Sequence, residues 1–543
     1  MTQFLDVLLR GLLLVLVSVA CGGVAWTVAV VRASPRTKPD GATRLALRAT
    51  ALAAALGAVA QIAVGLLVLV ELLRHAGGPS LAAYLDTGFA RAVLTRAALG
   101  ILVAVLAARL ATRPGRPATW IALGTAAVAF VVAGAAVSHA ASRVGDRTWL
   151  LALDAAHQLA VAVWVGGLAH LTLYAARAAR EPDPRDAVVA HRFSSLALGS
   201  VGLLVASGLA LTIAYVGEAA AMVGTAYGVM ILSKVALLLV ILGVAAVNYR
   251  LVRGVAVPRM SIISPLGSPP ERGSPRTAPG RLARLVEVEL GLAVTVLFAA
   301  ASLTSLPPAV DVSVDRATPA EVAARFVPAP PRLTSPPVDE LLRTADPLMA
   351  PAVRRLDVER AWSEYNHHWA GVFVLAMGLL AVVERWGWRG GRHWPLLLLA
   401  LAAFLFVRND PRAWPLGPAG FWESMTLPDV LQHRAFVALV VAFGVFEWAV
   451  RTGRLRPRPW AFVFPLVGAV GGGLLLTHSH AMFNLKEEFL TEITHAPLGI
   501  LGAFMGWARW AELRLPEAGA RPGWIWRLCF VAIGVLLLFY REA

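Results

Sequence analysis

Two cysteines in 543 residues leave little scope for thiol chemistry. Cys21 and Cys529 lie in separate apolar runs and form no Cys-x-x-Cys pair, so neither a disulfide framework nor a thiolate metal site has support, and both read as small packing residues. Charge is scarce as well: 15% of the residues are Asp, Glu, Lys or Arg against 58% hydrophobic, with a mean hydropathy of +0.68. A soluble multidomain protein is far less apolar than this, and the composition is that of a polytopic membrane protein. The phosphate-cradling loop Gly-x-x-x-x-Gly-Lys-Ser/Thr is missing, which argues against ATP-driven pumping by this chain alone. No grouping of nucleophile and base stands out, so no enzymatic activity is expected.

Acidic residues are outnumbered, and the net charge is +16. Such an excess could signal nucleic acid, but here the arginines sit in short turns between apolar runs, which is how membrane topology is encoded. Nucleic acid is therefore not expected as a partner; the lipid bilayer is.

Runs of roughly 17 to 25 apolar residues mark spans. Fourteen are expected, at about 5–31, 45–73, 89–108, 118–140, 150–174, 193–216, 226–248, 285–306, 367–384, 394–407, 429–449, 460–478, 491–508 and 524–540. The fold class is thus all-α, an integral membrane bundle of about fourteen helices. Gly11 to Val31 is too long for a signal-peptide core, and the basic cluster follows rather than precedes it, so it reads as a true span. Arg and Lys total 29 in one alternating set of loops and 5 in the other. The positive-inside rule then puts both termini outside the cytoplasm, on the periplasmic side of a bacterial inner membrane.

One connection differs. Ten prolines fall between Pro307 and Pro351, followed by the more helix-like stretch 338–362. The expected organisation is an eight-span domain over 1–306, a Pro-rich outer connector over 307–366 with a surface-lying amphipathic helix, and a six-span, His-rich domain over 367–543.

Of twelve histidines, eight fall at one membrane face: His139, His157, His367, His368, His433, His478, His480 and His495. Imidazoles favour interfaces where one edge stays wet, yet so many at one depth point to a bound metal or a haem, both of which take neutral His as ligand. A weak internal repeat supports the pairing. Arg96 to His157 and Arg434 to His495 each span 61 residues, with a Ser-His-Ala ending the helix between them in both copies.

The series Ser-His-Ala (138–140), then 153-LDAAHQLAVAVWVGGL-168, then Tyr227-Gly228 with Lys234, then 284-RLVEVELGLAVTVLFAAASLTSLPPA-309 resembles the copper resistance protein D (CopD) family. The resemblance covers spans one to eight and is strongest over 137–309. It implies copper resistance and movement of copper from periplasm to cytoplasm, and it maps the family's residues onto His139, His157, Trp164, Gly166, Gly167 and Lys234. The last six spans lie outside it.

Copper outside the cytoplasm is met by imidazole as Cu(II), and by imidazole with thioether as Cu(I). His478, His480 and Met482 form a compact His-Ser-His-Ala-Met stretch, and with His433, His495, His367 and His368 they are expected to converge on one metal site. Lys234 lies about nine residues into its span, where an ionisable group costs about 2.5–3.5 kcal/mol and needs a partner. Glu289 or Glu287 from the inner side is the expected one, with Asp154 the outer alternative. Arg96 and Arg434 would pair with Asp154 and Glu492, or with haem propionates. Gly166 and Gly167 beside Trp164 read as a close helix crossing.

Residues and resemblance together point to a copper-binding membrane protein that conducts copper inward, with a periplasmic copper-binding protein as a further candidate partner. The residues leave open a b-type haem cytochrome with paired axial histidines, and a copper-binding membrane protein without a transport path.

Overall fold

The computed structural model describes the chain apart from residues 1, 33–39, 75–79, 114–115, 144, 182, 184, 255–277, 313–315, 345–351, 457, 478–485, 517–519 and 543. The described residues form helices and no strand. In lipid every backbone N–H and C=O must be satisfied within its own segment, and a run of Ala, Leu and Val does this as a helix.

The chain divides into two compact units, one of residues 1–222, 230–313 and 477–479, the other of 223–229, 314–476 and 480–543. The first unit holds α1 (Thr2–Ala25, continued by a π-helical turn Trp26–Val31), α2 (Gly41–Arg74), α3 (Gly88–Thr112), α4 (Pro117–Ala135), α5 (Arg147–Ala178), α6 (Asp186–Val216), most of α7 (Ala226–Gly254) and α8 (Ala278–Leu303). Its core gathers Leu13, Val17, Leu47, Val103, Leu123 and Phe130 from the first four helices. Local signals set the helix starts: the Thr87 hydroxyl accepts from Ala90 N at 3.1 Å before α3, and Pro117 opens α4 where its missing N–H costs nothing.

The second unit starts with short helices, α9 (Pro319–Arg325) and α10 (Val338–Thr344). It continues with α11 (Ala352–Arg385), α12 (Leu397–Arg408), α13 (Pro428–Arg451), α14 (Val463–Thr477), α15 (Lys486–Glu492), α16 (His495–Arg514) and α17 (Arg521–Leu538). α11 and α17 meet closely because Gly371 and Gly534 each face the partner helix's backbone. Trp394, Phe464, Trp526 and Phe530 fill the centre. Beside them, Arg451 bonds Glu447 at 2.7 Å and Glu384 at 2.9 Å, and its guanidinium stacks 4.7 Å from the Trp394 ring centre.

Thirteen helices among the described residues are long and apolar enough to cross a membrane. This is a multi-pass membrane protein. The expected span 491–508 is α16, whose 20 residues are long enough but fall short in apolarity, since Arg509, Glu512 and Arg514 lie in its last turns.

Candidate functional site

The polar chemistry of the first unit is built on α5. Asp154, His157 and Gln158 are spaced i, i+3, i+4 and so share one helix face. Gln158 Nε2 donates to Asp154 Oδ2 at 2.9 Å. Gln158 also reaches toward α3 and α4: a Cβ added to Gly134 would fall 2.7 Å from Gln158 Oε1 and 2.9 Å from Arg96 Nη2, so the glycine leaves the gap in which these two side chains meet. Arg96, 5% exposed, donates to Gln61 Oε1 on α2 at 3.1 Å and lies within the field of Asp154. The expected pairing partner of Arg96, Asp154, is bonded by Gln158, while Arg96 itself bonds Gln61.

His157 Nδ1 is 3.1 Å from Ser207 Oγ on α6. That hydroxyl already donates to the Leu203 carbonyl at 2.6 Å, so it accepts from the imidazole, and Nε2 is left with its lone pair. His139 opens the short turn after α4, and its Nε2 donates to the Leu303 carbonyl of α8 at 2.8 Å. Lys234 on α7 has Asp154 as its opposing charge, and Asp154 also lies in the field of His139, Lys234 in that of His157.

The expected inner partner of Lys234 is otherwise engaged. Glu289, 3% exposed, accepts from Asn248 Nδ2 at 2.6 Å and from Trp164 Nε1 at 3.3 Å. Of the expected carboxylates, Asp154, the outer alternative, is the one whose charge acts on Lys234. The sequence ranks these the other way because helix rotation, which decides which side of α8 presents Glu289, is not readable from spacing alone. Trp164 thus serves as a donor to a buried carboxylate. Gly166 lets α5 cross α1 at the Ser18 carbonyl and Gly22, and Gly167 receives the Phe193 ring of α6.

Sequence reasoning passes over Gln61, Gln158 and Ser207. Gln61 and Ser207 are marked by being hydrogen-bonding side chains in apolar runs, and Gln158 by following His157 on the face of Asp154.

In the second unit the structure brings together part of the expected histidine set. The His367 and His495 rings lie 6.3 Å apart, and His367 stacks on Tyr540 at 4.1 Å. His367 Nδ1 donates to the Ser363 carbonyl at 2.9 Å, and Glu542 bonds the Ser363 hydroxyl. His368 is turned elsewhere. Its Nδ1 accepts from Arg332 N at 2.6 Å and its Nε2 donates to the Tyr540 carbonyl at 2.7 Å, so both ring nitrogens are consumed by backbone and neither can bind a metal. His433 Nδ1 is 3.0 Å from Asp410 Oδ1. Arg434 bonds the Phe406 and Trp414 carbonyls, stacks 3.9 Å from the Phe406 ring centre and has Asp410 as its nearby charge. His478, His480 and Met482 lie outside the described residues. Among the described residues no three His, Cys, Asp or Glu side chains are grouped closely enough to hold a metal ion.

Residues 187–303 match the family model described as Copper resistance protein D. The match takes in α6 from its second residue and the whole of α7 and α8, and with them Ser207, Lys234, Asn248 and Glu289; α5 precedes it. The chain is also 30% identical over 178 residues to the Copper transport protein CutJ of Bacillus subtilis (strain 168), a stretch that is 33% of this chain and 29% of that protein. No solved structure matches the chain. Residues 187–303 are thus a segment similar to the copper resistance protein D family, set in the apolar helices of a multi-pass membrane protein.

Proposed function

We propose that this protein carries copper from the outer to the inner side of a bacterial inner membrane through its first unit, without enzymatic activity. The observation that supports the reading best is the junction on α5, where His139 and His157 flank Asp154. Each imidazole there has its ring direction set by a hydrogen bond, His139 to the Leu303 carbonyl and His157 to the Ser207 hydroxyl. Such histidines are oriented as ligands, and two of them spaced along a polar chain suit a passing ion better than a closed cage of three or four donors does. The polar side chains that continue from the junction, Gln158, Arg96 and Gln61, lie in helices that otherwise bury mainly apolar groups. In the second unit, His367 and His495 are placed to receive copper at the outer face, from solution or from a periplasmic copper-binding protein.

Copper uptake into membrane vesicles carrying the full chain tests this. His139→Ala and His157→Ala should each lower uptake by about tenfold or more, with unchanged protein levels in the membrane. Undiminished uptake by the double variant would remove this junction from the path.

A further inference from the structure

Glu289 lies midway along α8 and is 3% exposed, and its two oxygens accept from neutral groups, Asn248 Nδ2 at 2.6 Å and Trp164 Nε1 at 3.3 Å. Among the described residues no Lys, Arg or His is hydrogen-bonded to it. The titratable groups of the surrounding helices are bonded, turned or placed elsewhere. α8 packs against α1 and α5. On α1, Arg10 is paired with Asp6 at 2.6 Å, and Cys21 donates to the Ala127 carbonyl at 3.3 Å. On α5, His170 bonds the Val19 carbonyl of α1 at 3.0 Å. On α7, Lys234 precedes Asn248 by fourteen residues, about 21 Å of helical rise, and Arg250 is turned from Asn248 by about 200°. On α8 itself, Glu287 is turned from Glu289 by about 200°, and Arg284 and Arg281 lie about 7.5 and 12 Å nearer the helix start.

A buried carboxylate with neutral donors alone bears its desolvation cost without an opposing charge, so the favoured resting form of Glu289 is the protonated acid. The site holds the acceptor that an acid needs. Asn248, 7% exposed, has its Oδ1 buried without a hydrogen-bond partner, and turning the amide over replaces a donor to the carboxylate by an acceptor from the acid. The site also lies on the line of the copper path. Trp164 follows His157 by seven residues, so the two share a face of α5 about 10.5 Å apart, with Glu289 bonded to the inner one. We infer that Glu289 exchanges a proton for copper, its carboxyl group balancing the charge of either one but not of both at once. As copper arrives from the outer side, the Glu289 O–H bond breaks and the proton passes to outer water. As copper leaves inward, the carboxylate takes a proton from inner water, and no electron moves. One proton thus goes out for each Cu(I) that enters.

This exchange rests on the transport reading, and one experiment separates the two. The full chain is reconstituted in liposomes holding a pH-sensitive dye, copper kept as Cu(I) by ascorbate is added outside, and copper uptake and lumen pH are followed together against protein-free liposomes. In wild type the lumen should turn alkaline as copper enters, and a lumen one pH unit more acidic than the outside should raise the copper accumulated by about tenfold, the factor for one-to-one exchange. Glu289→Gln, which has the shape of the protonated acid, should abolish the pH change and the response to the gradient, and Glu289→Asp should keep both. Asn248→Ala keeps the carboxyl but removes the donor to its ionised form, the stronger of the two bonds that the amide can make. Uptake by this variant should therefore be inhibited by outside acid at a higher pH than in wild type, which keeps the test open if Glu289→Gln does not insert. Copper entry into wild-type liposomes with an unchanged or acidified lumen, Glu289→Gln exchanging as wild type does, or Asn248→Ala with an unmoved pH profile would overturn the exchange. A wild type that carries no copper at any gradient would overturn the transport reading and the exchange with it.

Discussion

Gly166 shows how much a single position can decide. A Cβ there would run into the Ser18 carbonyl of α1, and backbone cannot step aside as a flexible side chain can. Gly166→Ala should therefore cost about 1–3 kcal/mol of stability, seen as a lower Tm of the detergent-solubilised protein. Gly199→Ala, where an added methyl meets nothing within 4 Å, should leave Tm unchanged. Equal effects from the two substitutions would mean that this crossing is not tightly packed. The histidines teach the same point through chemistry. His367 and His368 are adjacent in sequence, yet one stacks on Tyr540 opposite His495 while the other has both nitrogens bound to backbone. A ring direction that differs by one helical residue, about 100°, separates a candidate ligand from a structural clamp.

Among the elements, the Pro-rich connector departs furthest from a featureless linker. Thr318 and Glu321 form a reciprocal cap at the start of α9, the Glu321 carboxylate accepting from Thr318 N at 2.7 Å. The same carboxylate bonds Lys486 of α15 at 2.6 Å. The Lys486 ammonium, followed by the Thr318 donors, holds the Glu321 carboxyl down at about 2. A depressed carboxyl contributes stability that is fully present above its unfolded value of about 4.3 and is lost as pH falls through the folded one. Amide exchange in Pro319–Arg325 should accordingly stay slow until pH approaches about 2. In Glu321→Gln it should be faster throughout and insensitive to pH once corrected for intrinsic rates. Loss of protection already at about pH 4 to 5 in the wild type would show that the cap does not hold α9.

For the whole molecule the open quantity is orientation. The arginine imbalance places the loop containing Glu218 outside and that containing Glu181 inside. Both native cysteines are buried, so they form a quiet background once replaced by Ala. Glu218→Cys in intact cells should react with a membrane-impermeant maleimide, and Glu181→Cys should react only after permeabilisation. The reverse pattern would put His139 and His157 on the cytoplasmic side and reverse the direction of copper movement proposed above.

The membrane class, the helical fold and the positions of nearly all spans were legible in the sequence, because each depends on properties summed over about twenty residues: apolarity, length and the placement of arginine. The resemblance of the region ending in the eighth span to the copper resistance protein D family was legible for the same reason, in the order of residues along the chain. Pairings between helices were not. That Glu289 is held by Trp164 and Asn248, that His157 meets Ser207 and that Gln61 reaches Arg96 from 35 residues away are set by how each helix is rotated about its own axis. In spans apolar on every side no amphipathic stripe records that rotation. It follows from which small residues permit close crossings and which buried polar groups must find one another, and only the tertiary structure brings those into view.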